Sequence, residues 1–167
     1  MKLQRVLTTS ACLLIVCWLD GGESSEASGS WRISHLENGQ RIYMSGVTAQ
    51  GRAIQNSHGM EGVGCAMCHG PDGRGGTMHG IPVPNITMRA LTDPKGYEHP
   101  TGRKRPPYTE ESIKAAIVAG IDSGGNRLHP EMPRWTGLTA SDLEDLIGFL
   151  NTMGMGPPGS QGGSQGL

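Results

Sequence analysis

The 167-residue sequence predicts a mainly α fold, with three or more helices joined by long loops. Three observations lead there. Three segments carry apolar residues at helical spacing behind recognisable caps. Between them the chain is crowded with glycine and proline, and the apolar–polar alternation of a strand is not visible. Aromatic residues make up only 4% of the chain. Helices so composed bury little apolar surface by themselves, and a small domain of this kind needs a staple, a metal or a cofactor to complete its core.

At the N-terminus, Lys2 and Arg5 precede an apolar run from Val6 to Leu19, after which the chain turns small and polar. This is the pattern of a secretory signal peptide, assigned to residues 1–27 with cleavage after Ser25-Glu26-Ala27. The run is short for a bilayer span. An uncleaved N-terminal anchor, giving membrane association, is the alternative, and a lipid anchor on Cys17 is disfavoured by the bulky Val16 before it. Cleavage would remove two basic and three acidic residues and leave the two signs equal in number. No strong field then points to nucleic acid or to an anionic surface. Cys12 and Cys17 leave with the leader, so the mature chain keeps Cys65 and Cys68. Three residues apart, they close too small a loop to act as a stabilising disulfide.

The first predicted helix starts at Ser34, with Glu37 completing a capping box and Leu36, Gly39 and Tyr43 on one face. The second follows Pro106-Pro107. Thr109 is its N-cap, Glu110 and Glu111 occupy the first turn where the helix dipole favours anions, Ile113, Ala116 and Ile117 face inward, and Gly120 ends it. The third is capped by Thr139 with Asp142 in the reciprocal position, and Leu138 can staple onto Leu143. Its apolar face is Leu143, Leu146, Ile147 and Leu150, and Gly154 stops it. Residues 154–167 are almost entirely Gly, Ser, Gln, Pro and Met, the composition of a disordered tail.

The chemistry is concentrated in Cys65-Ala66-Met67-Cys68-His69, a C-x-x-C-H motif, which is the pattern of covalent haem c attachment. Two thiols three residues apart on a tight turn can reach the two vinyl groups of one porphyrin, and the next residue offers an imidazole to the iron from the same side. A large, flat, mostly apolar haem would also supply the missing core. Two other uses of such cysteines were weighed. A thioredoxin-like redox pair requires a strand before it and a helix after it, whereas here the flanks are Gly62, Gly64, Gly70 and Gly73. A zinc site needs four ligands, for which Cys65, Cys68, His69 and His79 could be assembled on paper.

From about Ser34 to Met153 the chain resembles a class I c-type cytochrome, a monohaem cytochrome c domain. The resemblance rests on pieces in the family's order. Gly39 with Tyr43 in the first helix and Leu146 with Phe149 in the last resemble the family's crossing terminal helices. Gly70-Pro71-Asp72-Gly73-Arg74-Gly75-Gly76 resembles its glycine-rich turn after the haem site. Pro84-Asn85 resembles the dipeptide whose proline carbonyl accepts a hydrogen bond from the proximal imidazole, and Met132-Pro133-Arg134-Trp135 resembles the loop that delivers a distal methionine. The resemblance implies the cytochrome c fold over residues 28–153, wrapped around one haem c. Residues 45–63 are longer than in compact members of the family and read as an insertion; residues 91–107, with Lys95, Arg103, Lys104 and Arg105, have no firm counterpart.

The resemblance implies a site in which Cys65 and Cys68 hold the haem and His69 ligates the iron. Met132 is the sixth ligand, and Pro84 and Trp135 support from behind. A thioether favours reduced iron and raises the potential. His129, three residues before Met132, is the alternative ligand. His35, His58, His79 and His99 read as surface residues. Arg89, Arg127 and Arg134 are equally eligible to pair with a propionate, and Arg103–Arg105 reads as a solvated loop or as a patch steering an acidic partner. The implied function is one-electron transfer between redox partner proteins outside the cytoplasm, in the periplasm or its equivalent, after the haem-attachment machinery has acted. A haem peroxidase or dehydrogenase subunit and a haem-based gas sensor are the competing readings, and both require an open or displaceable distal ligand.

Overall fold

A computed structural model describes residues 25–154, with side chains described from Ser34 onward. The leader assignment lies outside these residues apart from Ser25-Glu26-Ala27, and the tail assignment lies outside them apart from Gly154. In chain order the elements are α1 (Ser25–Ser45), α2 (Ala66–His69), β1 (Gly76–Met78), β2 (Ile81–Val83), α3 (Met88–Leu91), β3 (Tyr97–Glu98), β4 (Lys104–Arg105), α4 (Glu110–Val118) and α5 (Ala140–Thr152). None of the described helices is long and apolar enough to cross a membrane.

The predicted N-caps at Thr109 and Thr139 form, and each closes into a capping box, the one at Thr109 through a serine that the sequence reading did not assign. Thr109 accepts from Ser112 N while the Ser112 side chain returns the bond, and Thr139 and Asp142 do the same for α5. Their inward faces are Ile113, Ala116 and Ile117 on α4, and Leu146, Ile147 and Leu150 on α5; Leu143 is half-buried. Helix α1 differs. It begins nine residues before Ser34, so Ser34 is an interior residue and not a cap. The Ser34–Glu37 spacing signals a helix start only where the preceding chain leaves helical geometry. No proline between Ser25 and Ile33 forces it to do so.

Helices α1 and α5 pack on each other at Gly39. A Cβ there would stand 2.0 Å from the Asp145 carbonyl oxygen and 2.9 Å from Phe149 Cβ, so the helices approach as closely as they do only because Gly39 has no side chain. One turn on, Tyr43 stacks at 5.4 Å and 49° against Phe149. The core gathers Ile42, Tyr43, Leu146, Ile147 and Leu150 from this pair, Ile113 and Ile117 from α4, and Ile54, Leu91, Tyr108, Trp135 and Met153 from elsewhere. Leu36, expected on the inner face, is 40% exposed. Asn38 and His35 instead reach α5, with Asn38 Nδ2 2.7 Å and His35 Nδ1 2.5 Å from the Asp145 carboxylate.

The loops contain two antiparallel hairpins that the sequence reading did not anticipate: β1 with β2, in the register Met78↔Ile81, and β3 with β4. The first turns on His79-Gly80, both at positive φ (51° and 79°), the backbone of a two-residue hairpin loop. Each member of the basic cluster is paired within the chain. Arg103 pairs with buried Asp122 at 3.3 Å, Lys104 pairs with Glu98 at 3.3 Å, and the Arg105 guanidinium lies 4.4 Å over the Tyr108 ring.

Candidate functional site

The C-x-x-C-H motif forms one helical turn. Cys65 is the N-cap residue of α2, and its carbonyl accepts from Cys68 N (3.2 Å) and His69 N (2.9 Å). Positions i, i+3 and i+4 of a helix share a face, so Cys65, Cys68 and His69 project together while Met67, between them, is 57% exposed. Gly70 ends the turn at φ +77°. The loop it opens is held to α1 by the Tyr43 hydroxyl, which donates to the Gly70 carbonyl at 2.7 Å.

His69 is 7% exposed, and its Nδ1 lies 3.0 Å from the Pro84 carbonyl oxygen. A carbonyl only accepts, so Nδ1 carries the proton and Nε2 presents a lone pair. Nε2 has no hydrogen-bond partner among the described residues. Burial depresses the imidazole pKa, against the raising effect of the Pro84 bond, so the ring stays neutral, the form a metal requires. The β1–β2 hairpin puts Pro84 there. Gly75 N donates to the His69 carbonyl at 2.9 Å, and a Cβ on Gly75 would stand 2.2 Å from Val83 O. Only a glycine lets the strand leading into Pro84 lie so close behind the histidine turn.

Both cysteines are free thiols, half-buried. Burial pushes Cys65 up to about 12, and burial together with the Glu131 charge raises Cys68. These thiols are the reverse of a thioredoxin-type cysteine, whose reactivity depends on a lowered pKa. The zinc set does not assemble either. His79 sits in the hairpin turn, and among the described residues no group of three or more Cys, His, Asp or Glu side chains is placed to hold a metal ion. Met78 packs against the second thiol, with its sulfur 3.3 Å from Cys68 Sγ.

The loop 129–135 carries Met132, half-buried, and Trp135, buried in the core with its backbone N–H donating to Ile117 O at 3.1 Å. Arg134 is committed within this loop. Its guanidinium donates to the Met132 carbonyl and, at 3.3 Å, to Leu128 O. It covers Gly120 so closely that a Cβ there would meet Arg134 Nε at 1.7 Å. His129 caps the loop's own turn, its Nδ1 accepting from Glu131 N at 3.2 Å.

The sequence model of the cytochrome c family matches residues 36–154. The chain belongs to the cytochrome c family. No curated protein and no solved structure matches it. Family membership implies haem c, its iron, and electron transfer through it. The residues present fit such a group: a neutral, buried imidazole offers an Nε2 unpartnered among the described residues beside two uncrosslinked thiols on one helical turn.

Proposed function

We propose that this protein is an exported, monohaem electron carrier. Cys65 and Cys68 hold a single haem c through thioethers, and His69 and Met132 are its iron ligands. The observation that carries this reading is the His69 arrangement: a buried neutral ring, fixed in one tautomer by Pro84, on the same turn as both thiols. The haem, when bound, supplies a one-electron iron couple.

The chain's contribution is ligation and exclusion of water. Pro84 holds the proton on Nδ1, fixes the ring orientation and increases the basicity of Nε2. Met132 would offer the iron a soft thioether, which favours the reduced metal and raises the potential. Trp135, rooted in the core, keeps the Met132 loop from swinging outward. No substrate bond is made or broken on this reading. Donor and acceptor are other redox proteins, met through small transient interfaces. Residues 1–27 act as an export signal, with the N-terminal anchor as its alternative.

Intact mass of the exported, denatured protein tests the reading. The mass should equal residues 28–167 plus one haem, with the haem retained through denaturation. A haem lost on denaturation, or a protein exported without one, contradicts it.

A further inference from the structure

The segment between α1 and the histidine turn, residues 46–63, is an ordered strap rather than a loose loop. Ile54 is fully buried and Thr48 nearly so. Ile54 N donates to Gly46 O at 2.8 Å, Thr48 N to Arg52 O at 2.9 Å and Asn56 N to Met60 O at 3.2 Å. The strap reaches across the molecule to the loop that carries Met132. Ser57 N donates to Arg134 O at 2.8 Å, and Arg134 N donates back to Ser57 Oγ at 2.9 Å. His58 Nε2 lies 3.0 Å from Pro130 O, on the other side of Met132. Farther along, Arg52 Nη1 donates to Gly137 O at 2.8 Å and Gly137 N to Gln55 O at 3.4 Å. A Cβ on Gly137 would stand 3.0 Å from Gln55 N. Met132 is therefore bracketed: the loop is tied to the strap two residues before it and two residues after it.

We infer that residues 52–58 are a brace for the axial-ligand loop, with Ser57 and His58 as positioning residues that keep Met132 seated in both redox states. This rests on the assignment of Met132 as the sixth ligand. A thioether ligand on a surface loop leaves when its loop opens, and small anions then reach the iron. Each tie between strap and loop makes opening costlier without itself touching the iron or the haem.

The test uses purified holoprotein, wild type and S57A/H58A, with cyanide binding to the ferric form followed optically. His58 is exposed, so H58A alone is a second variant that folds, and Ser57→Thr keeps the hydroxyl. The wild type should show the far-red sulfur-to-iron band and bind cyanide slowly. S57A/H58A should keep its covalent haem and bind cyanide about tenfold faster, equivalent to about 1.4 kcal/mol of loop opening, with H58A intermediate and Ser57→Thr restored to the wild-type rate. A wild-type band with unchanged cyanide rates in S57A/H58A overturns the brace alone. A wild type without the band overturns Met132 ligation, and the brace with it.

Discussion

The two sides of the candidate site are built differently. On the histidine side, Cys65, Cys68, His69 and the carbonyl of Pro84 come from twenty consecutive residues, joined by one helical turn and one short hairpin. On the methionine side, the loop's own short-range bonds are anchored by distant segments. The loop around Met132 is held by a strap that lies 77 residues away at the Ser57–Arg134 bond, and by core contacts through Trp135. A side built from neighbours forms whenever its short segment folds. A side built from distant segments needs the whole domain closed, and is the side where local opening costs least.

That contrast orders the expected effects. The largest belongs to the histidine side, where attachment and folding are one event. Cys68→Ala should lower the yield of haem-bearing protein on the order of tenfold or more, because the cofactor supplies core the chain lacks. Haem content of the denatured protein measures it, and normal holoprotein would falsify the covalent assignment. Met132→Ala acts on the other side and should leave the haem attached. It should abolish the far-red band and lower the potential by a fraction of the roughly 0.8 V that axial ligands span, as read by redox titration.

Two smaller effects test the frame that both sides share. Gly39→Val places a side chain against the Asp145 carbonyl and should cost about 3 kcal/mol through overpacking, visible as a lower denaturation midpoint in the holoprotein. Asp142→Asn should cost about 1–2 kcal/mol by weakening the α5 cap. Burial opposes the Asp142 charge, but hydrogen bonds from Thr139, the Arg52 guanidinium and Asn38 outweigh it and hold the carboxyl below its ordinary value. A depressed carboxyl stabilises the fold above its unfolded pKa of about 3.9, and that stability is lost as pH falls through the folded value. Asp142→Asn should therefore flatten the acid limb of the stability–pH curve; an acid limb identical to wild type would remove Asp142 from the account.

What the sequence made legible follows the same divide. The caps at Thr109 and Thr139 and the attachment motif are short-range, and each requires particular residue types at fixed spacing, whereas the Pro84 carbonyl follows from the family resemblance. The α1 start was misread because a capping box inside a longer helix looks the same on paper as one at its end. The β1–β2 hairpin was missed because its strands are three residues each, one contains Pro82, and its turn carries His79 where asparagine is the usual signal. The strap was visible only as extra length. Its ties to the Met132 loop combine one backbone pair with the Ser57 hydroxyl and the His58 ring, and a serine and a histidine in a polar, glycine-rich stretch carry no sign of a partner so far along the chain. The arginines eligible for a propionate divided for a comparable reason: only the folded chain reveals that Arg134 is spent on the Met132 and Leu128 carbonyls.

The optical spectrum of the exported, purified protein, first oxidised and then reduced, decides whether the iron is held closed between His69 and Met132. Low-spin haem c is expected in both states, with the sulfur-to-iron band in the oxidised form and its loss in Met132→Ala. A low-spin spectrum without that band would transfer the sixth position to His129. A high-spin spectrum would contradict the closed carrier site and put an open, ligand-binding or catalytic iron in its place.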